Sequence, residues 1–194
     1  MEIIIHRVNK IKELNKISTN FGAEIDVRTN GSNLILGHDP FMKGDKLEDY
    51  LENYNHKTLV LNIKEAGIEE KVLSLVKKYS IKSYFLLDVE MPYLYKATIN
   101  GQKNIAVRFS EYENIFLAKY FKNKLKWVWI DTVTKLPINK NNKKILNKFK
   151  SCIVCPERWG RKQDIKIYKK KLKKIKFEPT AIMTSKKCVK NWLE

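Results

Sequence analysis

The chain has 194 residues, 43% hydrophobic and 31% charged, and Lys+Arg 39 against Asp+Glu 21 sets the formal net charge at +18. That length supports one well-buried core and hardly two, so a single domain over 1–194 is expected, while Gly 7 and Pro 5 exclude collagen-like and disordered chains. No apolar run reaches about 18 residues and the start MEIIIHRVNK has no basic segment ahead of an apolar one, so a cytoplasmic protein without a membrane span is expected.

Short runs rich in Ile, Val, Leu and Phe alternate with polar stretches of helical period. A strand is expected over 2–6 and a helix over 10–19. The next strand, 23–28, runs into Asn30-Gly31-Ser32 and then NLILGHD, and Asn-Gly between two strand-like runs predicts a β-hairpin because both residues tolerate positive φ. A helix over 46–54, a strand over 58–63, a helix over 69–79 and a strand over 83–88 follow. The second half reads as helix 91–95, strand 104–108, helix 110–121 and strand 127–131. It ends with helix 141–150, strand 152–155, helix 162–175, strand 180–183 and helix 186–193. Eight strand–helix units predict the α/β class and a compact (β/α)8 TIM barrel with a β-hairpin insertion after the second strand; a doubly wound open sheet is the alternative.

Reactive groups in a parallel barrel collect where strands end, and nearly every run here closes on a polar residue. His6 and Arg7 close the first strand, Asn62 and Lys64 the third, Asp88 the fourth, Arg108 the fifth and Asp131 the sixth. Glu157 follows the seventh, and the hairpin adds His38 and Asp39. Glu24 and Asp26, two apart on one strand, leave the same face. Side by side they need a cation: either a hard divalent ion such as Mg²⁺ or Ca²⁺, or an ion network with Arg28 or Lys64. His6 and His38 suit a general acid and a general base, and Arg7 and Lys64 suit an anionic substrate.

The strings IIIHR, GAEIDVRTNGSNLILGHD and LNIKEAG resemble the glycerophosphodiester phosphodiesterase family, within the phospholipase C-like phosphodiesterase TIM barrels, over about residues 2 to 67. That family carries His-Arg ending the first strand, Glu-x-Asp on the second, His-Asp after the hairpin and acidic-x-Lys on the third. The resemblance implies that His6 and His38 are the acid–base pair, that Glu24 and Asp26 hold a divalent metal, Mg²⁺ or Ca²⁺, and that Arg7 and Lys64 contact phosphate. Where many members have a third carboxylate, this chain has Asn62, which offers a carbonyl oxygen without charge. Val8 replaces the glycine that usually follows His-Arg. Asp39, Asp88, Arg108 and Glu157 are further candidates for supporting the site or selecting the substrate.

The expected function is therefore metal-dependent hydrolysis of a small-molecule or lipid-headgroup phosphodiester. The alternative is a catalytically silent barrel that binds phosphorylated ligands or partners. The charge alone would also suit nucleic acid, but no recognisable nucleic-acid module accompanies it; peripheral contact with a membrane surface stays open. The three cysteines, Cys152, Cys155 and Cys188, are an odd number and read as free thiols. Cys152-Ile-Val-Cys155 has the spacing of a metal or redox pair but falls within an expected strand. His56 is expected to be a solvated loop residue, and Trp127 and Trp129 to pack in the core or at the rim.

Overall fold

Strands covered on both faces must be apolar on both sides, and the segments EIII, LVLNI, YFLL and WVWI meet that requirement almost residue for residue. In the computed structural model, which describes residues 1–194, each of the eight expected runs overlaps a parallel strand. In chain order the elements are β1 (Glu2–Ile5), α1 (Ile11–Leu14), β2 (Gly22–Asn30), β3 (Asn33–Leu36), α2 (Leu47–Glu52) and β4 (Leu59–Ile63). Then come α3 (Glu69–Lys78), β5 (Tyr84–Leu87), α4 (Met91–Ile99), β6 (Ala106–Phe109), α5 (Ile115–Phe121) and β7 (Trp127–Ile130). The chain ends with α6 (Lys140–Leu146), β8 (Lys150–Val154), α7 (Asp164–Lys174), β9 (Ala181–Thr184) and α8 (Val189–Leu193). The strand order is β5-β4-β2-β1-β9-β8-β7-β6, with β3 paired only to β2.

The chain divides into two compact units, Ile4–Lys96 and Met1–Ile3 with Ala97–Glu194. In the first, β2 is the organising strand. It pairs in parallel with β4 through Glu24↔Val60 and Asp26↔Asn62, and antiparallel with β3 through Val27↔Leu36 to Asn30↔Asn33, which is the expected hairpin. Gly31 sits at its turn with φ 60, a conformation that costs glycine nothing. In the second unit β6, β7, β8 and β9 pair in sequence and in parallel. No helix is long and apolar enough to cross a membrane.

Several boundaries differ from the sequence reading, each for a local reason. The first helix is a single turn. The helix expected over 141–150 stops at Leu146, because Phe149 N–H bonds back to Leu146 O at 3.0 Å and Lys150 N–H reaches Lys126 O at 2.8 Å, beginning β8. The one expected over 110–121 begins at Ile115: Ser110 Oγ accepts from Tyr112 N–H and Glu113 N–H, and Asn114 caps the helix through Phe116 N–H. Cys155 lies beyond β8, where Pro156–Trp159 form a short 3₁₀ turn. Cys152, Cys155 and Cys188 are buried free thiols, and burial pushes the Cys152 and Cys155 thiols well up. Trp127 and Trp129 are core residues. His56 is not a solvated loop residue: its Nε2 lies 3.3 Å from Ile17 O, its ring centroid is 5.4 Å from that of Tyr54, and its Nδ1 is buried.

Candidate active site

The site assembles around β2, within the unit Ile4–Lys96. Glu24 and Asp26 project from one face of this strand and are 2% and 0% exposed. Two carboxylates can be buried only if their oxygens find donors or cations; of the four neighbouring segments that close around them, the first two supply these partners.

The first is the chain leaving β1. Arg7 adopts φ 52, a left-handed conformation uncommon for any residue but glycine, and this turn aims Arg7 N–H at Glu24 Oε2, 2.8 Å away, while Val8 N–H meets Glu24 O at 2.8 Å. His6 Nε2 then stands 4.0 Å from Glu24 Oε2, and the Arg7 guanidinium Nε is 3.9 Å from Asp26 Oδ2. Asn9, which the sequence reading passed over, closes a two-point clamp. Its Nδ2 donates to Asp26 Oδ2 at 2.8 Å, and its Oδ1 accepts from Asp26 N–H at 2.8 Å.

The second segment is β4. Register with Asp26 places Asn62 beside the carboxylates, and its Nδ2 donates to Glu24 Oε1 at 2.9 Å. Lys64, just past the strand, puts Nζ 3.2 Å from Asp26 Oδ1 and 3.9 Å from Asp88 Oδ2. Of the two cations that could have balanced the pair, Lys64 takes this place, whereas Arg28 turns to Glu65 at 4.0 Å and to His38 O at 3.0 Å. The third segment is the end of β5, where Asp88 also has positive φ, 60. Burial, followed by the negative Asp26, raises the Glu24 carboxyl above the usual carboxylate range, and the donors Asn62 and Arg7 with the Lys64 charge oppose that shift.

The fourth segment is the loop after β3. Gly37 N–H donates to Asp26 O at 2.9 Å, so His38 departs directly beside the carboxylate strand. Its Nδ1 lies 2.8 Å from Asp39 Oδ1, and this contact holds the Asp39 carboxyl below its ordinary value. The base of the loop is pinned by residues the sequence reading did not single out. Leu36 N–H bonds Asp45 O at 2.9 Å, and the Asp45 carboxylate accepts Ile11 N–H at 2.7 Å. Gly44 passes so close to β3 that a Cβ there would lie 1.9 Å from Leu36 O. Gly44→Ala is therefore expected to displace the His38 loop and cut turnover by about tenfold or more while the barrel stays folded. Unchanged kcat in this variant would show that the loop position does not matter.

Arg108, Asp131 and Glu157 belong to the other unit. Arg108 lies within β6, not at its end, and its guanidinium pairs with Asp131. Glu157 Oε1 accepts from Thr184 Oγ1 and from Ser185 N–H at 3.1 Å, which fixes it against the end of β9.

The residues present fit a hard divalent cation. No three His, Cys, Asp or Glu side chains converge as a metal group. Yet Asn62 Oδ1 is buried and accepts no hydrogen bond, and Asp26 Oδ1, on its register partner, faces only the Lys64 ammonium. With Glu24 they form a set of oxygen donors of the kind Mg²⁺ and Ca²⁺ select. Asn9 acts on this set from behind. Asn9→Leu removes both clamp bonds to Asp26 and is expected to cost about 2–3 kcal/mol, read in a denaturant titration, with a larger fall in kcat than in substrate affinity. A fall in stability with kcat intact would make the clamp purely structural.

No family model matches the chain, and no curated protein does. A crystal structure of a glycerophosphodiester phosphodiesterase from Agrobacterium tumefaciens str. C58 is similar with a TM-score of 0.66 at 12% identity, covering 94% of this chain and 95% of that one. At that identity the likeness shows the fold alone: the alternating strands and helices are those of an α/β TIM barrel.

Proposed function

We propose that the chain is a metal-assisted phosphodiester hydrolase acting on a small-molecule or lipid-headgroup substrate. One observation carries the proposal: His6, Arg7, Lys64 and the His38 loop are all tied to the strand that bears the buried Glu24–Asp26 pair. Glu24, Asp26 and the Asn62 carbonyl would hold the cation, which when bound polarises the phosphoryl oxygens. Arg7 and Lys64 orient the phosphate and offset its charge; the Arg7 side chain is 40% exposed and able to swing to a ligand. One imidazole of His6 and His38 removes the proton from the attacking hydroxyl or water, and the other delivers a proton to the departing alkoxide. The electrostatic setting suits this division, because His6 stands near a carboxylate held in a buried, partly compensated state while His38 lies nearer solvent beside Asp39.

The test is turnover of a phosphodiester panel, including glycerophosphodiesters and bis(p-nitrophenyl) phosphate, with Mg²⁺, Ca²⁺ or EDTA. Activity that requires the cation is expected, with loss on substitution of either histidine. Absence of turnover by folded protein across the panel would instead favour the silent, ligand-binding barrel.

A further inference from the structure

The chain's charge is not spread evenly. The unit formed by Met1–Ile3 and Ala97–Glu194 holds 25 of the 39 Lys and Arg and 8 of the 21 Asp and Glu, a net +17, while Ile4–Lys96 holds 14 and 13, a net +1. A bias towards lysine across the chain does not explain why acidic residues are withheld from one unit alone. Such an asymmetry points to a polyanionic surface as partner.

Within the cationic unit, α5 carries an aromatic face left largely in solvent, its ring contact with the core being Tyr120 edge-on to Phe121 at 5.0 Å. Ala118 and Phe121 face the core, whereas Phe116 and Tyr120, one turn apart, are 67% and 58% exposed, and Tyr112 in the turn leading into the helix is 73% exposed. Large aromatics left in water cost free energy that a monomer normally avoids unless the patch is used. Lysines border this face: Lys119, Lys122, Lys124 and Lys126 are all exposed, and the Lys124 ammonium lies 4.1 Å from the Tyr120 ring centroid. Of the two acids in this stretch, Glu111 is already engaged by Thr134 and by Lys135 N–H, which leaves Glu113 as the acid beside the patch.

We propose that this face of α5 docks on the headgroup surface of an anionic phospholipid bilayer, the aromatic rings entering the interface and the lysines pairing with lipid phosphates. Aromatics flanked by lysines on a short amphipathic element are what interfacial anchors present. The cations here are lysines alone, without the arginine forks that stack on bases and grip nucleic-acid phosphates bidentately. The proposal stands apart from the catalytic assignment, since none of its residues belongs to the candidate active site.

Co-sedimentation of the full chain with vesicles of phosphatidylcholine alone and of phosphatidylcholine mixed with phosphatidylglycerol tests it. Binding is expected only to the anionic vesicles and should fall as salt rises. F116S/Y120S should weaken it about tenfold, and K119E/K122E/K124E about thirtyfold or more, with thermal midpoints unchanged. The control K12E/K57E/K77E changes net charge equally in the other unit and should have a much smaller effect. Failure to bind anionic vesicles would overturn the proposal, as would a control variant as damaging as the α5 variant. Tighter capture of a single-stranded oligonucleotide that displaces the vesicles from α5 would overturn it too.

Discussion

Replacing His38 by alanine is expected to lower kcat for phosphodiester cleavage by about 10²–10⁴, the range that a positioned acid or base contributes. The fold should not notice the change, because the His38 side chain is 40% exposed and its ring contact is with the neighbouring Asp39. His6→Ala should cost as much activity, with a somewhat larger effect on stability since His6 packs near Glu24. Leaving-group dependence separates the two roles. A p-nitrophenyl ester leaves without help from an acid, so it should rescue the variant that lacks the acid and not the one that lacks the base. Comparable loss on both ester types for both variants would contradict that division of labour. Full activity in His38→Ala would remove His38 from the mechanism and leave the loop with a binding role.

Replacing Asn62 by aspartate tests the oxygen cluster itself. Asn62 Nδ2 now donates to Glu24 Oε1, and Glu24 is a carboxylate whose proton affinity is already raised by burial and by Asp26. The substitution deletes that donor and adds a third buried negative charge, so without divalent ions the variant should lose roughly 3 kcal/mol, or about 6–12 °C in thermal midpoint, near neutral pH. The sign of the pH dependence follows from the raised carboxyl. Because native Glu24 holds its proton more tightly than unfolded Glu24, this group favours the fold below its ordinary value of about 4.5, and that contribution is lost as pH rises towards its folded value. Asn62→Asp should therefore be nearly as stable as the parent at about pH 4 and diverge from it above. Addition of Mg²⁺ or Ca²⁺ should recover several degrees in the variant and fewer in the parent, as the cation replaces the missing donor. Equal responses of the two proteins to the cation would sink the oxygen-ligand assignment without touching the role of the histidines.

Asn62→Asp and Asn9→Leu report on different parts of one structure. The first changes the charge held in the cluster and responds to cations; the second loosens Asp26 and should not be rescued by them. Taken together with the leaving-group experiment, they distinguish an enzyme whose cation site has been weakened from a barrel that only binds phosphorylated ligands.

Much of this protein was written locally along the chain. Parallel strands buried on both faces must be short and apolar, so all eight could be read as runs, and Asn30-Gly31-Ser32 marked the hairpin, although Asn30 ends β2 opposite Asn33 and the turn itself is Gly31-Ser32, with only Gly31 at positive φ. The two-residue spacing of Glu24 and Asp26 placed both carboxylates on one face of β2 for the same local reason. What sequence could not decide was which distant groups meet them. Lys64 and not Arg28 balances Asp26 because the β2–β4 register brings Asn62 level with Asp26 and the next turn of chain carries Lys64 over it. Asn9 was invisible as a positioning residue because asparagine in a polar stretch carries no signal until a left-handed turn at Arg7 swings it onto β2. Gly44 likewise reads as an ordinary loop glycine, and only its close approach to Leu36 O shows that a side chain there would collide with β3. Local backbone preference and burial thus determined the elements and the chemistry they could carry; strand register and non-local hydrogen bonds, which depend on residues far apart in the chain, decided which of those groups form a site.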